Sequence, residues 1–559
     1  MSPIFCAVNR SGDEVSAQVY SMMNTMGYEN SDDAWLISNG LKTERSIATD
    51  FVTGQALGKV SLGIRDFHEE PASDCSGKLV VLYEGNLYNI QKLGSNLASK
   101  HKISIGSASE IVAHLIEDRY QGDLSRAVKE IVPILDGDYL LAASDGTQTI
   151  ILRDTAGLRP AFYAEKDELI AFASVKKALW EIGLRDVKPL RAGMLASFSK
   201  DGIAFEDVCS LQKMRIEVEI DDMATAVDSY YDLISNAVRK RMLYLKRVGV
   251  LMSGGVDSCL MAKLVADISA EGGIQLTAYT AGVNGTADIE CAEHFAQELG
   301  LRHKVRRISL DEIESYIPQV TRAVEEREMV QIEAGIGIYA SLEAASQDDV
   351  HELFSGQGPD ELWGGYTWYP KVIAAEGYEG LQRRMWDDLQ RGDIETFDRE
   401  NKIALAFRSE QLFPYCDKEV IKLAASVSPR LKIKSAEDSI GKHPHREAAI
   451  RFGVPEEFAY RAKNAAQHGT GVHDTLDAIS QKNGFTPELA ARVGYNDEEV
   501  CREKLASSTR YGYRYANREL WQAPDHIQFF LDSVAYQNGL LNQHERSAIS
   551  QFLQKAGMK

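Results

Sequence analysis

The sequence predicts an α/β protein in two parts, a layered strand-rich first part and a parallel α/β second part. Three observations carry this. Short β-like runs crowd roughly the first two hundred residues, and strand and helix patterns alternate from about residue 222. In between them in importance, the apolar run RVGVLM breaks abruptly into Ser253-Gly254-Gly255 before a helical pattern resumes.

Each element follows from its pattern. IFCAVNR, KLVVLYEGNLYNI, DGDYLLAASD, TQTIILRD, ELIAFASV and GMLASFS read as strands, interrupted by one amphipathic helix, SASEIVAHLIEDRY. MATAVDSYYDLISNAVRKRMLYL then places its apolar residues at helical spacing, and RVGVLM is a short strand. SCLMAKLVADIS, IQLTAYTAG, IECAEHFAQELG and HKVRRISL continue as helix, strand, helix, strand, the alternation of a parallel sheet. Beyond residue 370 the chain reads as mainly helical up to STRYGYRYANRELW, where an aromatic, cationic wall competes with ordinary core packing. The boundary near 205–222 rests on the change of period.

Composition narrows the classes. At 559 residues, two or three domains are expected. The 82 acidic against 62 basic residues, a net charge of −20, disfavour a nucleic-acid partner. The 7 cysteines stand far apart with no CxxC pair, which argues against a disulfide framework or a structural zinc and for a reducing cytoplasm. MSPIFCAVNR lacks the layout of a signal peptide, and no apolar run reaches the roughly 18 to 20 residues that cross a bilayer, so no membrane partner is expected.

The stretch VGVLMSGGVDS carries the first chemistry. A strand ending at Leu251 and turning through Ser253, Gly254 and Gly255 into a helix offers free N–H groups at a positive helix end, suited to phosphate. Ser253 and Ser258 add hydroxyls, and Asp257 is a magnesium ligand candidate. A tight β-to-α turn without ligand is the alternative. The second stretch, LFSGQGPDELWGGY, pairs Ser355-Gly356 with the acids Asp360 and Glu361. Carboxylates from both loops make an oxygen set for magnesium on a polyphosphate. A solvated surface turn is the competing reading.

The first stretch resembles the SGGxDS pyrophosphate loop of ATP pyrophosphatases, the second the SGEGSDExFGGY motif of asparagine synthetases. LYEGNLYN, GSASEIVAHL, LRDTAGLRPAFYAEKDELIAFASVKKAL, ENKIALAFRSEQLFPYCD, GKHPHREAA and RAKNAAQHGTGV are similar, in order, to further segments of that family. The chain is therefore identified as a member of the asparagine synthetase family. The resemblance implies an N-terminal Ntn-hydrolase-like αββα sandwich, a glutaminase-like domain over 1–210. It implies a pyrophosphate-loop (adenine-nucleotide α-hydrolase) parallel α/β domain with a helical extension over 211–559. ATP and Mg2+ are the implied cofactors, and dimers are usual in such families.

By the same resemblance, Lys442 steadies the adenylation transition state, with Arg446 and Lys463 as further phosphate or carboxylate contacts, while His443, His445 and His468 read as packing or exposed. Departures from the family pattern set the specificity. Ser2 and Pro3 replace the nucleophilic cysteine and its glycine, Glu84 replaces the asparagine that serves the oxyanion, and Ala108 the aspartate that binds the glutamine amine. The arginine of the family's HRGPD segment has no equivalent in MGYENSDDAW, and Cys6 lies inside a strand. The glutaminase is expected to be inactive, as in the β-lactam synthetases. Gln357 stands where the family has a glutamate, and an amide is no base near neutral pH. Glu333 replaces a carboxylate-binding arginine, so a pocket including Glu325 and Glu333 is expected to favour an amine-bearing substrate.

The expected activity is adenylation of a small-molecule carboxylate, then acyl transfer to an amine without glutamine hydrolysis. Ammonia-dependent asparagine synthesis is the nearest alternative. tRNA modification is disfavoured by the charge, and a non-catalytic scaffold by the retention of Asp257, Asp360 and Lys442.

Overall fold

The computed structural model describes residues 3–25, 33–38, 42–47, 60–65, 71–103, 107–199, 201–214, 219–462, 466–502 and 523–558. The chain divides into two compact units, Met1–Met214 and Arg215–Lys559. Lys463, Ser2 and STRYGYRYANRELW lie outside the described residues, as does most of MGYENSDDAW.

The first unit is an αββα sandwich. Its 7-stranded antiparallel sheet contains β1 (Ile4–Asn9), β2 (Asp33–Ser38), β3 (Lys42–Ile47), β4 (Val60–Arg65), β9 (Phe162–Lys166), β10 (Leu169–Ala173) and β11 (Lys188–Pro189), in the order β11-β9-β10-β1-β4-β2-β3. The 6-stranded sheet contains β5 (Ala72–Ser73), β6 (Val80–Leu87), β7 (Gly137–Ser144), β8 (Thr149–Arg153), β12 (Met194–Ser199) and β13 (Gly202–Asp207), in the order β13-β12-β8-β7-β6-β5. Strand alternation divides the core. Val80, Leu82, Leu140 and Ala142 pack toward Ile4, Cys6 and Phe172 of the other sheet. Val81, Tyr83, Leu141 and Ala143 face a helical layer.

That layer is α2 (Ile90–Leu97), α3 (Ala108–Glu117) and α4 (Leu124–Ile131), while α1 (Ser16–Asn24) and α5 (Lys176–Glu181) cover the larger sheet. The sequence reading foresaw only α3. The other helices span six to nine residues, too short for periodicity to stand out, although Leu124, Ala127, Val128 and Ile131 of α4 do share one buried face.

The second unit is built on a parallel 5-stranded sheet. Its strands are β14 (Arg247–Leu251), β15 (Gln275–Gly282), β16 (His303–Arg307), β17 (Glu352–Phe354) and β18 (Glu410–Leu412), ordered β16-β15-β14-β17-β18. Helix α6 (Met223–Arg241) leads in, and α7 (Val256–Gly272), α8 (Ala287–Glu298), α9 (Leu310–Val324) and α10 (Met329–Gln347) connect the first strands. A Ser309–Glu312 capping box starts α9. After β17 come α11 (Pro359–Trp363), α12 (Tyr369–Arg391) and α13 (Thr396–Ala406), and after β18 α14 (Lys418–Ser426), α15 (Pro429–Lys432) and α16 (His443–Arg451). Further helices include Asp525–Gln537 and Gln543–Ala556.

Sheet order reverses between β14 and β17, because β15 and β16 extend one edge and β17 and β18 the other. Loops leaving the carboxyl ends of two such neighbours diverge around a crevice. Both sequence motifs lie on those loops. Among the described residues, no helix is long and apolar enough to cross a membrane.

Candidate active site

The turn after β14 takes its shape from glycine and serine. Gly254 has φ +74°, and a Cβ there would lie 2.7 Å from the Cys291 Cβ of α8. Gly255 caps α7 with no side-chain acceptor on the first-turn N–H groups. The Ser258 hydroxyl accepts from the Ser253 N–H at 3.1 Å and donates to the Gly255 carbonyl at 3.0 Å. Ser253 Oγ lies 3.3 Å from Ser258 Oγ, and both serines line the crevice.

The turn after β17 presses against it. A Cβ on Gly356 would stand 3.1 Å from the Ser258 nitrogen and 3.3 Å from the Asp257 carbonyl carbon. The missing side chain lets the two turns pack this closely. Asp360 and Glu361 open α11 but face apart. Asp360 reaches the crevice, while Glu361 is buried and accepts from the Tyr366 hydroxyl. Burial, and then the charge of Asp360, push the Glu361 carboxyl up to about 7.

Lys442 joins the turns. Its Nζ lies 2.6 Å from Asp257 Oδ2 and 2.6 Å from Asp360 Oδ1, with the side chain 1% exposed. The residue caps α16 in the left-handed region, φ +57°, a strained conformation for a non-glycine residue. Gly365 makes room for it, since a Cβ there would fall 1.9 Å from Lys442 Cε and 2.0 Å from Asp360 Oδ1.

Asp257 is held from two more sides, one of them buttressed by a tyrosine. His445 Nε2 lies 3.1 Å from its Oδ1, the Tyr230 hydroxyl of α6 bonds His445 Nδ1 at 2.8 Å, and the Tyr415 hydroxyl donates to the Asp257 carbonyl at 2.8 Å. Burial lowers the His445 pKa, so the ring is neutral at neutral pH. The reading of His445 as packing alone is thus corrected, because it orients a crevice carboxylate. The hard anionic oxygens of Asp257 and Asp360, brought together on Lys442, suit a magnesium ion.

Another side of the crevice lies at α10 and α13. Ala334, Gly337, Ile338, Gln357, Arg399 and Glu400 line it. Gln357 Nε2 donates to Glu400 Oε1 at 2.9 Å, and Arg399 donates to the same oxygen at 3.2 Å. Glu400 is 1% exposed, and burial raises its carboxyl pKa. Beside the turn after β14, Arg461 bonds the Ser253 carbonyl at 3.2 Å and Asp288 at 2.9 Å.

Arg446 lines the crevice, and its guanidinium donates to the carbonyls of Gly441, Ala459, Arg461 and Ile440. Two expected pocket residues are placed otherwise. Glu325 sits outside the crevice at the end of α9, in an ion pair 2.9 Å from the buried Lys402. Glu333 is also outside the lining and bonds His473 Nδ1 at 2.8 Å. Sequence reading missed Glu400, Arg399, Asp288 and Arg461. The run DRENKIALAF offered only charged helical residues, and nothing local marks Glu400 as inward-facing.

In the first unit, Cys6 is fully buried in β1 and its thiol is pushed up to about 12 by burial, so it is neither a thiolate nor accessible. Glu84 is buried beside Ser174, whose hydroxyl lies 3.4 Å from its carboxylate, and Ala108 opens α3.

A parallel sheet whose switch-point turns present a helix start suited to phosphate, paired carboxylates and a buried lysine defines the class: an α/β protein with a nucleotide-type crevice at the carboxyl ends of its strands. A family model described as asparagine synthase matches residues 229–530, and a glutamine amidotransferase domain model matches residues 62–181. The chain belongs to the asparagine synthase family.

Relatives agree across both units. A Methanocaldococcus jannaschii protein bearing the name of a glutamine-hydrolyzing asparagine synthetase is 26% identical over 536 residues, covering 87% of this chain and 96% of that one. The glutamine-hydrolyzing asparagine synthetase of Homo sapiens is 25% identical over 437 residues, covering 72% and 74%. Among solved structures, the glutamine phosphoribosylpyrophosphate amidotransferase from B. subtilis aligns with a TM-score of 0.33 and 16% identity, over 54% of this chain and 65% of that one.

Proposed function

We propose that the protein adenylates a substrate carboxylate with ATP, releasing pyrophosphate, and transfers the acyl group to an amine without hydrolysing glutamine itself. The observation that carries this is the convergence of Asp257 and Asp360 on Lys442, beside the helix start at Gly255 and across the crevice from Glu400.

The N–H groups at the start of α7 and the Ser253 hydroxyl bind the polyphosphate. Asp257 and Asp360 would hold a magnesium ion, which would neutralise phosphate charge. Lys442 stabilises negative charge on the α-phosphate as the substrate carboxylate attacks it, and pyrophosphate departs. An amine then attacks the acyl carbon of the acyl-AMP, AMP leaves, and Glu400 accepts the amine's proton. Gln357 cannot do so; its amide holds Glu400 in place.

The first unit supports the glutamine-independent part of the reading. Its buried Cys6 is not nucleophilic, and the buried Glu84 stands, by the family resemblance, in place of the asparagine that serves the oxyanion, where a carboxylate would oppose developing negative charge. We read the domain as structural.

Ammonia-dependent asparagine synthesis stands as the second reading, favoured by one observation. His473 already satisfies Glu333, which weakens the argument for an amine-bearing substrate from charge inversion.

The test is pyrophosphate release from ATP·Mg with a panel of carboxylic and amino acids, each with ammonium or glutamine, and products identified by mass. The reading expects AMP, pyrophosphate and an amide, with glutamine inert as the nitrogen source. Release of ADP, or of glutamate from glutamine, contradicts it.

A further inference from the structure

A cluster of metal-ligating side chains lies in the first unit, on its helical face. Cys75 comes from the turn between β5 and β6, His101 from the connection between α2 and α3, and His114 and Glu117 from one face of α3 at i, i+3 spacing. Their ligand atoms all lie within 4.8 Å of one another.

The individual distances are those of a coordination polyhedron. Cys75 Sγ is 3.3 Å from His101 Nδ1 and 3.7 Å from His114 Nδ1. Glu117 Oε2 is 2.9 Å from His114 Nδ1 and 3.4 Å from His101 Nδ1. A tetrahedron with metal–nitrogen and metal–oxygen bonds of about 2.0 Å and a metal–sulfur bond of about 2.3 Å has edges of about 3.3 to 3.6 Å. The separations fall around those edges.

The surroundings match as well. The two imidazoles stack with centroids 4.5 Å and planes 25° apart. The far nitrogen of His101 lies 3.1 Å from Asp118 Oδ1, the carboxylate–histidine arrangement that fixes a ligand tautomer. Both histidine side chains are nearly buried, at 8% and 4% exposure.

We propose that Cys75, His101, His114 and Glu117 bind one zinc ion as a closed structural site. One soft sulfur, two imidazoles and one carboxylate in tetrahedral reach suit zinc, and four protein ligands leave no open position for catalysis. The ion ties the β5–β6 turn and the α2–α3 connection to α3. This reverses the expectation drawn from the lack of a CxxC pair. The other ligands stand 26, 39 and 42 positions from Cys75, a spacing that no local motif displays.

The full-length protein, purified without a metal-binding tag and dialysed against metal-free buffer, is assayed for bound metals and then, after chelation, titrated with cobalt(II). One equivalent of zinc per chain is expected, and cobalt should give a thiolate charge-transfer band with tetrahedral visible absorption. That band should be lost in Cys75→Ser and retained in Cys209→Ser. Zinc below about a tenth of an equivalent, another first-row metal in its place, or an unchanged cobalt spectrum in Cys75→Ser overturns the assignment. Should Cys75→Ser fail to fold, the metal content and cobalt spectrum of the unmodified protein decide alone.

Discussion

The amide nitrogen of Gln357 donates to the buried carboxylate of Glu400 at 2.9 Å. A residue too weak to act as a base thus grips one that is able to, and burial holds that carboxyl above its usual range. Glu400→Gln should lower amide formation by about 10²- to 10⁴-fold, the usual contribution of a general base. Pyrophosphate release from the carboxylate should fall much less. Equal loss in both assays would assign Glu400 to adenylation instead.

The same group sets a pH dependence. A base works deprotonated, and the Glu400 carboxyl keeps its proton to higher pH than an exposed glutamate. Activity should therefore fall on acidification at a pH above the ordinary carboxylate range. In Glu400→Asp that acid limb should move, which a purely structural role would not produce. Rate–pH profiles of the two proteins compare directly.

Lys442 is the preorganised charge of the adenylation half. Lys442→Met should cost at least about 10²-fold in pyrophosphate release, as removal of a transition-state donor does. Asp360→Asn should raise the magnesium concentration needed for half-maximal rate. Circular dichroism of both variants separates lost chemistry from lost fold.

Gly365→Ala tests the geometry without touching a functional group. The added carbon would fall 1.9 Å from Lys442 Cε and must displace either the lysine or Asp360. Pyrophosphate release should drop by about an order of magnitude or more, since small misplacements of catalytic groups carry large rate costs. Unchanged kinetics would mean the lysine works from another position.

Lys432, on α15, is buried with its ammonium bonded to the Ala424 carbonyl at 2.6 Å, and burial lowers its pKa to about 7. An unfolded lysine keeps its proton to about 10.4. Between these values the unfolded chain binds more protons, so this group makes stability rise with pH across that window. Lys432→Met should remove that slope and stabilise the protein at pH 7 by about 1 to 3 kcal/mol. Denaturant midpoints of both proteins at pH 7 and pH 9.5 measure it.

The sequence alone determined the strand–helix alternation, because periods of two and 3.6 residues are local properties of the chain. It also marked Ser253-Gly254-Gly255, Asp257 and Asp360, whose glycine-rich surroundings and order carried the resemblance. What it left hidden depends on side-chain direction and on partners far along the chain. Glu400, Asp288 and His445 look like ordinary charged or packing residues until the fold turns each inward. Conversely, Arg446, Glu325 and Glu333 matched or replaced family positions, yet their donors and acceptors are committed to backbone carbonyls, Lys402 and His473. Only the tertiary structure decides such cases, since what a charged group does depends on which partner reaches it first as water is excluded.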